Sequence, residues 1–167
     1  MVYYRSDDYT NSIIDCILVP KILYTIRDVI RFHNLFYLLS ETYKEQSAET
    51  EIEFQDLFYL ELLHYRFTNI YSVLCNTPLY ILELNEYSLS LKTDAKEIIQ
   101  NLNIGNQDLE VAYDILCYLF SHSRRNNSMS YLRNYSKYFM YRLDNKILTT
   151  SIFLMLENNE ENNLGNT

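Results

Sequence analysis

The chain has three histidines, His33, His64 and His122, and they lie far apart in the sequence. His64 follows Glu61 by three residues, a spacing that sets both on one face of a helix and offers the start of a metal or acid–base site. Two ligands do not hold a metal, so the expected reading is an ordinary surface or boundary pair. His33 falls within an apolar stripe and reads as a satisfied histidine at the edge of a core. Cys117 and His122 are five residues apart, which puts them on different helical faces. With Cys16 and Cys75 the cysteines number three, each in apolar surroundings, and they fit small buried hydrophobes in a reducing compartment better than a disulfide framework. The carboxylate pairs Glu53/Asp56 and Glu157/Glu160 have the spacing of solvated helix faces.

Two glycines in 167 residues leave no room for the phosphate-cradling loops of nucleotide enzymes. There is no nucleophile-elbow serine, no Cys-x-x-Cys pair and no His-Glu-x-x-His helix. The expectation is a non-enzymatic protein with no cofactor and no metal. A formal charge of -8, from 22 acidic and 14 basic residues, disfavours nucleic acid and anionic membrane surfaces as partners. No apolar run is long enough for a membrane anchor, and no secretory signal pattern is seen, so the expected location is cytoplasmic.

The elements that would position these side chains read as helices. Residues 12–19 (SIIDCILV) are apolar and cut off at Pro20. From Lys21 to near Tyr43, Ile22, Ile26, Val29, Ile30, Leu35, Phe36 and Leu39 recur at helical spacing. Residues 44–51 (KEQSAETE) form a loop or a helix end. A second long helix is predicted over residues 52–75, closed by Asn76, Thr77 and Pro78. Residues 79–91 predict a shorter helix, with the alternation around Leu82 and Leu84 leaving a brief strand as the alternative. Asp94 and Glu97 form a capping-box pattern, and Gly105 is placed for a left-handed helix end.

Residues 108–121 (DLEVAYDILCYLFS) are apolar around most of the helix circumference, which predicts a buried central helix. Two more helices are expected at 129–143 and 146–157, giving an all-α bundle of about seven helices. The single domain would span residues 1–157, with 158–167 as a polar tail. Seventeen tyrosines and no tryptophan add a further feature. Tyr131, Tyr135, Tyr138 and Tyr141 exceed what one buried stripe absorbs, and with Arg124 and Arg125 they make a candidate surface patch for a partner or for self-association. An AT-biased genome would also enrich tyrosine.

Gln107-Asp108, then Ala112 and Cys117 in the apolar helix, a polar turn, an aromatic helix and YRLDNKILTTSIFLMLENN together resemble the C-terminal half of the poxvirus Bcl-2-like proteins. Residues 12–18 (SIIDCIL) are similar to the first helix of that family. The resemblance implies a Bcl-2-like fold and a virulence factor in the host cytoplasm. Such a protein evades immunity by inhibiting NF-κB signalling or apoptosis, through contact with a signalling adaptor, a kinase or a pro-apoptotic BH3-type helix. It also implies a candidate groove walled by Leu57, Leu62, Tyr65, Leu74, Leu82 and Tyr87 and roofed by Val111 and Ile115, which would take an amphipathic helix. The chain departs from the family in reading His122-Ser123-Arg124-Arg125 where several members have a tryptophan. It also reads Asp108-Leu109-Glu110 where groove binders place an arginine, which favours adaptor interference over groove binding. The alternative is a self-associating structural or regulatory helical protein with no host target.

Overall fold

A computed structural model describes residues 19–45, 52–120 and 126–140. Within them the chain is mostly helical, with six α-helices and one β-hairpin. The chain enters through a 3-10 turn, Val19–Lys21, which folds Ile22 and Leu23 into the core. Helix α1 (Ile26–Glu45) begins later than the pattern from Lys21 suggests, because Thr25 caps it. The Thr25 hydroxyl and amide both donate to Asp28 Oδ2, at 2.8 and 3.0 Å, while the Asp28 amide donates back to Thr25 Oγ1 at 3.1 Å. This is the reciprocal geometry of a capping box, with aspartate in place of glutamate. The other Asp28 oxygen accepts from the Tyr65 hydroxyl at 3.0 Å, which stitches the start of α1 to the next helix.

The single helix expected over residues 52–75 is two. Helix α2 (Phe54–Arg66) and helix α3 (Thr68–Asn76) meet at Phe67, whose φ of -123° and ψ of 58° leave the helical region. The break is not marked by glycine or proline; it is held by tertiary packing, since the Phe67 ring is buried. Backbone bonds continue through it, from the Phe67 amide to Leu63 O and from the Tyr71 amide to Phe67 O. Residues 59–63 of α2 are buried without interruption, so α2 is as central as the helix anticipated over residues 108–121. Phe32 and Phe36 of α1 meet Phe58 edge-on at 5.4 and 5.3 Å between ring centroids, joining α1 to α2.

Residues 79–91 do not form a helix. After a 3-10 turn at Pro78–Tyr80, strands β1 (Leu82–Asn85) and β2 (Ser88–Leu91) pair antiparallel, with Leu82 opposite Leu91 and Leu84 opposite Leu89. Strict alternation wins because it places four leucines on one face and the polar residues on the other. On that polar face Asn85 Nδ2 donates to Ser90 Oγ at 2.6 Å, and Ser90 Oγ donates to Glu83 Oε1 at 3.2 Å. The two-residue turn takes Glu86 to a φ of 45° without a glycine. The outer edge of β2 is covered in turn: the Leu89 amide donates to Ser130 O, the Leu132 amide donates to Tyr87 O, and Ser88 bridges Tyr131.

Helix α4 (Ala95–Gln100) starts after Asp94 as the capping pattern implies, but the Asp94 side chain makes no cap bond. The left-handed residue that follows is Asn103, at a φ of 61°, and not Gly105; asparagine tolerates this conformation through its short polar side chain. Gly105 instead opens helix α5 (Asn106–Phe120), its carbonyl accepting from the Asp108 and Leu109 amides. Helix α5 buries Leu109, Val111, Ala112, Ile115, Leu116, Leu119 and Phe120, in keeping with the central helix read from its composition.

The helix expected over residues 129–143 shortens to α6 (Leu132–Tyr135), continued by a 3-10 turn at Ser136–Phe139. The segment before it is anchored by Asp56, a buried carboxylate in the first turn of α2. Asp56 Oδ2 accepts from the Met129 amide at 2.7 Å and from Ser128 Oγ at 2.9 Å. The readings of residues 12–18, 146–157 and 158–167 lie outside the described residues.

Candidate protein-binding surface

His64 Nδ1 lies 3.3 Å from Glu61 Oε2, so the expected pair is present. The Glu61 side chain is buried, and the His64 ring packs beside Tyr71 with centroids 4.3 Å apart. Among the described residues no group of three or more histidine, cysteine, aspartate or glutamate side chains is placed to hold a metal ion, and no helix is long and apolar enough to cross a membrane. His33 is not at a core edge: it is exposed and stacks on Tyr37. Cys75 is buried, and Cys117 is half-buried, with burial pushing its thiol pKa up. The reading of Glu53 and Asp56 as a solvated helix face fails at Asp56, which is buried and accepts from residues 128 and 129. Cys16, His122, Glu157 and Glu160 lie outside the described residues.

The eight candidate groove residues do not line one surface. Leu57, Leu62, Leu74, Leu82, Val111 and Ile115 are buried in the core, so their side chains have no surface to give a ligand. Tyr65 is half-buried and bonded to Asp28, and Tyr87 projects from the hairpin turn. At the start of α5, Asp108 faces Arg66 at 3.5 Å, and Arg66 in turn lies over the Tyr24 ring at 5.0 Å. The charge found there is negative and already engaged.

The tyrosine patch is corrected in a similar way. Tyr135 and Tyr138 are core residues, and each hydroxyl is satisfied inside. Tyr135 donates to Leu74 O and Tyr138 donates to Asn127 O, both at 2.7 Å. Burial raises both phenol pKa values, for Tyr135 well above the ordinary range. A phenol can be buried at little cost when a carbonyl meets its hydroxyl, so surplus tyrosine need not lie at the surface. Tyr131 remains half-buried, with the Arg133 guanidinium over its ring at 5.8 Å. Arg124, Arg125 and Tyr141 lie outside the described residues.

The exposed apolar surface is elsewhere, on α1. Of the eleven exposed large hydrophobic side chains among the described residues, seven fall between Tyr24 and Leu38. Ile26 is 80% exposed, Ile30 55%, Tyr37 59% and Leu38 70%. At 100° per residue, Phe32, Phe36, Leu39 and Tyr43 form the face packed on the domain. Ile26, Ile30, His33 and Tyr37, spaced by four, three and four, form an adjacent line that faces solvent. The sequence pattern put Ile26, Val29, Ile30 and Leu35 in one apolar series with Phe36 and Leu39. The signal that separates them is angular: the apolar arc of α1 is wider than one packing contact covers. Contiguous exposed apolar patches of this kind mark interaction sites.

No family model matches the chain, and neither do curated proteins or solved structures.

Proposed function

We propose that this chain is a non-enzymatic protein-binding module that works through the exposed face of α1. The observation that carries the reading is the row Ile26, Ile30 and Tyr37, left in solvent on a helix whose opposite face, through Phe32 and Tyr43, packs on the domain. Branched aliphatic and aromatic side chains held rigidly on one helix are what a partner surface desolvates on binding.

The resemblance of residues 107–158 to the poxvirus Bcl-2-like proteins directs this module at host innate immune signalling or apoptosis, in the host cytoplasm. In its favour stands α5, with Ala112 fully buried and apolar side chains on most of its circumference. The hairpin between α3 and α4 is an elaboration that the all-α bundle of that family does not require. Groove capture of a BH3-type helix is the weaker form of the proposal, because six of the eight residues named for that groove are core.

The test is expression of the full chain in cytokine-stimulated reporter cells and in cells given a death stimulus, beside an Ile30→Glu variant. Reduced signalling or delayed death with the natural chain, lost with the variant, is the expected result. Unchanged output in both assays with the natural chain counts against it.

A further inference from the structure

The polar residues beside the exposed row of α1 are not randomly placed. Arg27, Asn34 and Glu41 follow one another at intervals of seven, so they form a line along one flank of the row Ile26, Ile30, His33 and Tyr37. Arg27 stands toward one end of that line, Glu41 toward the other, and Asn34 is midway between them. The distance from Arg27 to Glu41 is fourteen residues, or about 21 Å along the helix axis. Arg27 is exposed and has no ion pair among the described residues. Glu41 pairs with Lys44 at 2.9 Å on the surface, an exposed contact of the kind that contributes little and leaves a carboxylate open to a second cation.

This pattern is self-complementary in one arrangement. When two such helices pack antiparallel about a two-fold axis at Asn34, the flanking lines of the two copies run side by side. Arg27 of each copy then comes level with Glu41 of the other, and the two asparagines meet at the axis. A parallel pairing about a two-fold along the helices would put the two flanking lines on opposite sides of the interface, where Arg27 of one copy could not reach Glu41 of the other. An isologous interface needs a surface that is its own complement under the two-fold, and a positive end, a neutral centre and a negative end on one line meet that need.

We infer that the exposed face of α1 binds a second copy of this chain, as an antiparallel helix pair with Arg27 and Glu41 forming two equivalent intermolecular ion pairs. The inference rests on the reading of α1 as a protein-binding face and names the partner. The apolar row supplies the contact area, and the charges set direction and register.

Sedimentation equilibrium of the full chain, from low micromolar to near-millimolar concentration, tests it with four proteins: the natural chain, Arg27→Glu, Glu41→Arg, and the double exchange. The natural chain should dimerise. Each single reversal places like charges opposite each other twice and should weaken self-association by at least about tenfold. An equimolar mixture of the two single variants restores both opposite-charge contacts and should dimerise as the natural chain does, as should the double exchange. Recovery on mixing cannot come from a folding defect, because neither variant is repaired except by the other. A natural chain that stays monomeric throughout overturns the inference, as do single variants that associate normally or a mixture that does not recover. A monomeric natural chain that still lowers signalling in the reporter cells would overturn the second copy as partner and leave the protein-binding reading standing.

Discussion

Helices α1 and α2 are both rich in large apolar side chains, and the molecule uses them differently. In α2 the residues from Tyr59 to Leu63 are buried in succession, with α1, α3 and α5 packed around them. In α1 the domain covers Phe32 and Tyr43, while Ile26, Ile30 and Leu38 stay in water. A helix packed by three others hides most of its circumference, whereas a helix packed mainly along one side hides a single arc. Apolar content alone therefore does not say which residues stabilise the fold and which serve contact with another molecule.

The contrast can be broken most sharply in α2. Leu62→Ala should lower the unfolding free energy by about 2–5 kcal/mol, the cost of a buried cavity, as measured by urea denaturation. Ile30→Ala in α1 should change it by no more than about 0.5 kcal/mol, as a surface substitution does. Equal losses at the two positions would mean that the face of α1 is packed in solution.

Asp56→Ala is next in size. It removes the acceptor of the Met129 amide and the Ser128 hydroxyl, and leaving a buried donor unmet costs about 1–3 kcal/mol. Hydrogen exchange should show residues 128–132 losing protection, including the bonds that join this segment to β2. Tyr135→Phe tests the buried phenols with a smaller change. It deletes the bond to Leu74 O and should cost about 0.5–1.5 kcal/mol in thermal unfolding, with no effect on association.

The smallest effect belongs to the start of α1. Hydrogen bonding from Thr25 holds the Asp28 carboxyl below the usual aspartate pKa, and the Tyr65 hydroxyl acts in the same direction. A carboxyl depressed in the folded state contributes stability that is present above its unfolded pKa and is lost as the pH falls through the folded one. Asp28→Asn should therefore flatten a small part of the acid limb of the stability profile and leave neutral and alkaline pH unchanged in shape. An identical acid limb in the variant would show that this carboxyl is not linked to folding.

Several elements were legible in the residues. The periodic apolar spacing of α5, the start of α4 after Asp94 and the predominance of helix follow from local pattern, which the structure keeps. Other features turned on partners distant in the chain. The helix break at Phe67 has no local breaker and exists because its ring finds a place in the core. The strand character of residues 82–91 was present as alternation at Leu82 and Leu84, but alternation over so few residues competes with a helical reading until the edge of β2 finds residues 130–132. The candidate groove, implied by the resemblance, drew on Leu57, Leu62 and Ile115, which are apolar at helical spacing. That spacing is shared by core and interface, so it could not tell which face is covered.

The sequence by itself determined a mostly helical, acidic chain with no phosphate loop motif, and it marked α5 as an inner helix, because composition and periodicity act over a few residues. Only the tertiary structure decided that α2 is equally central, that Tyr135 and Tyr138 lie inside with their hydroxyls on backbone carbonyls, and that the open apolar surface lies on α1. These outcomes depend on which helix lies against which, and on carbonyls supplied from elsewhere in the chain. An apolar side chain has the same preference for leaving water wherever it stands, and the packing of neighbours determines which ones succeed.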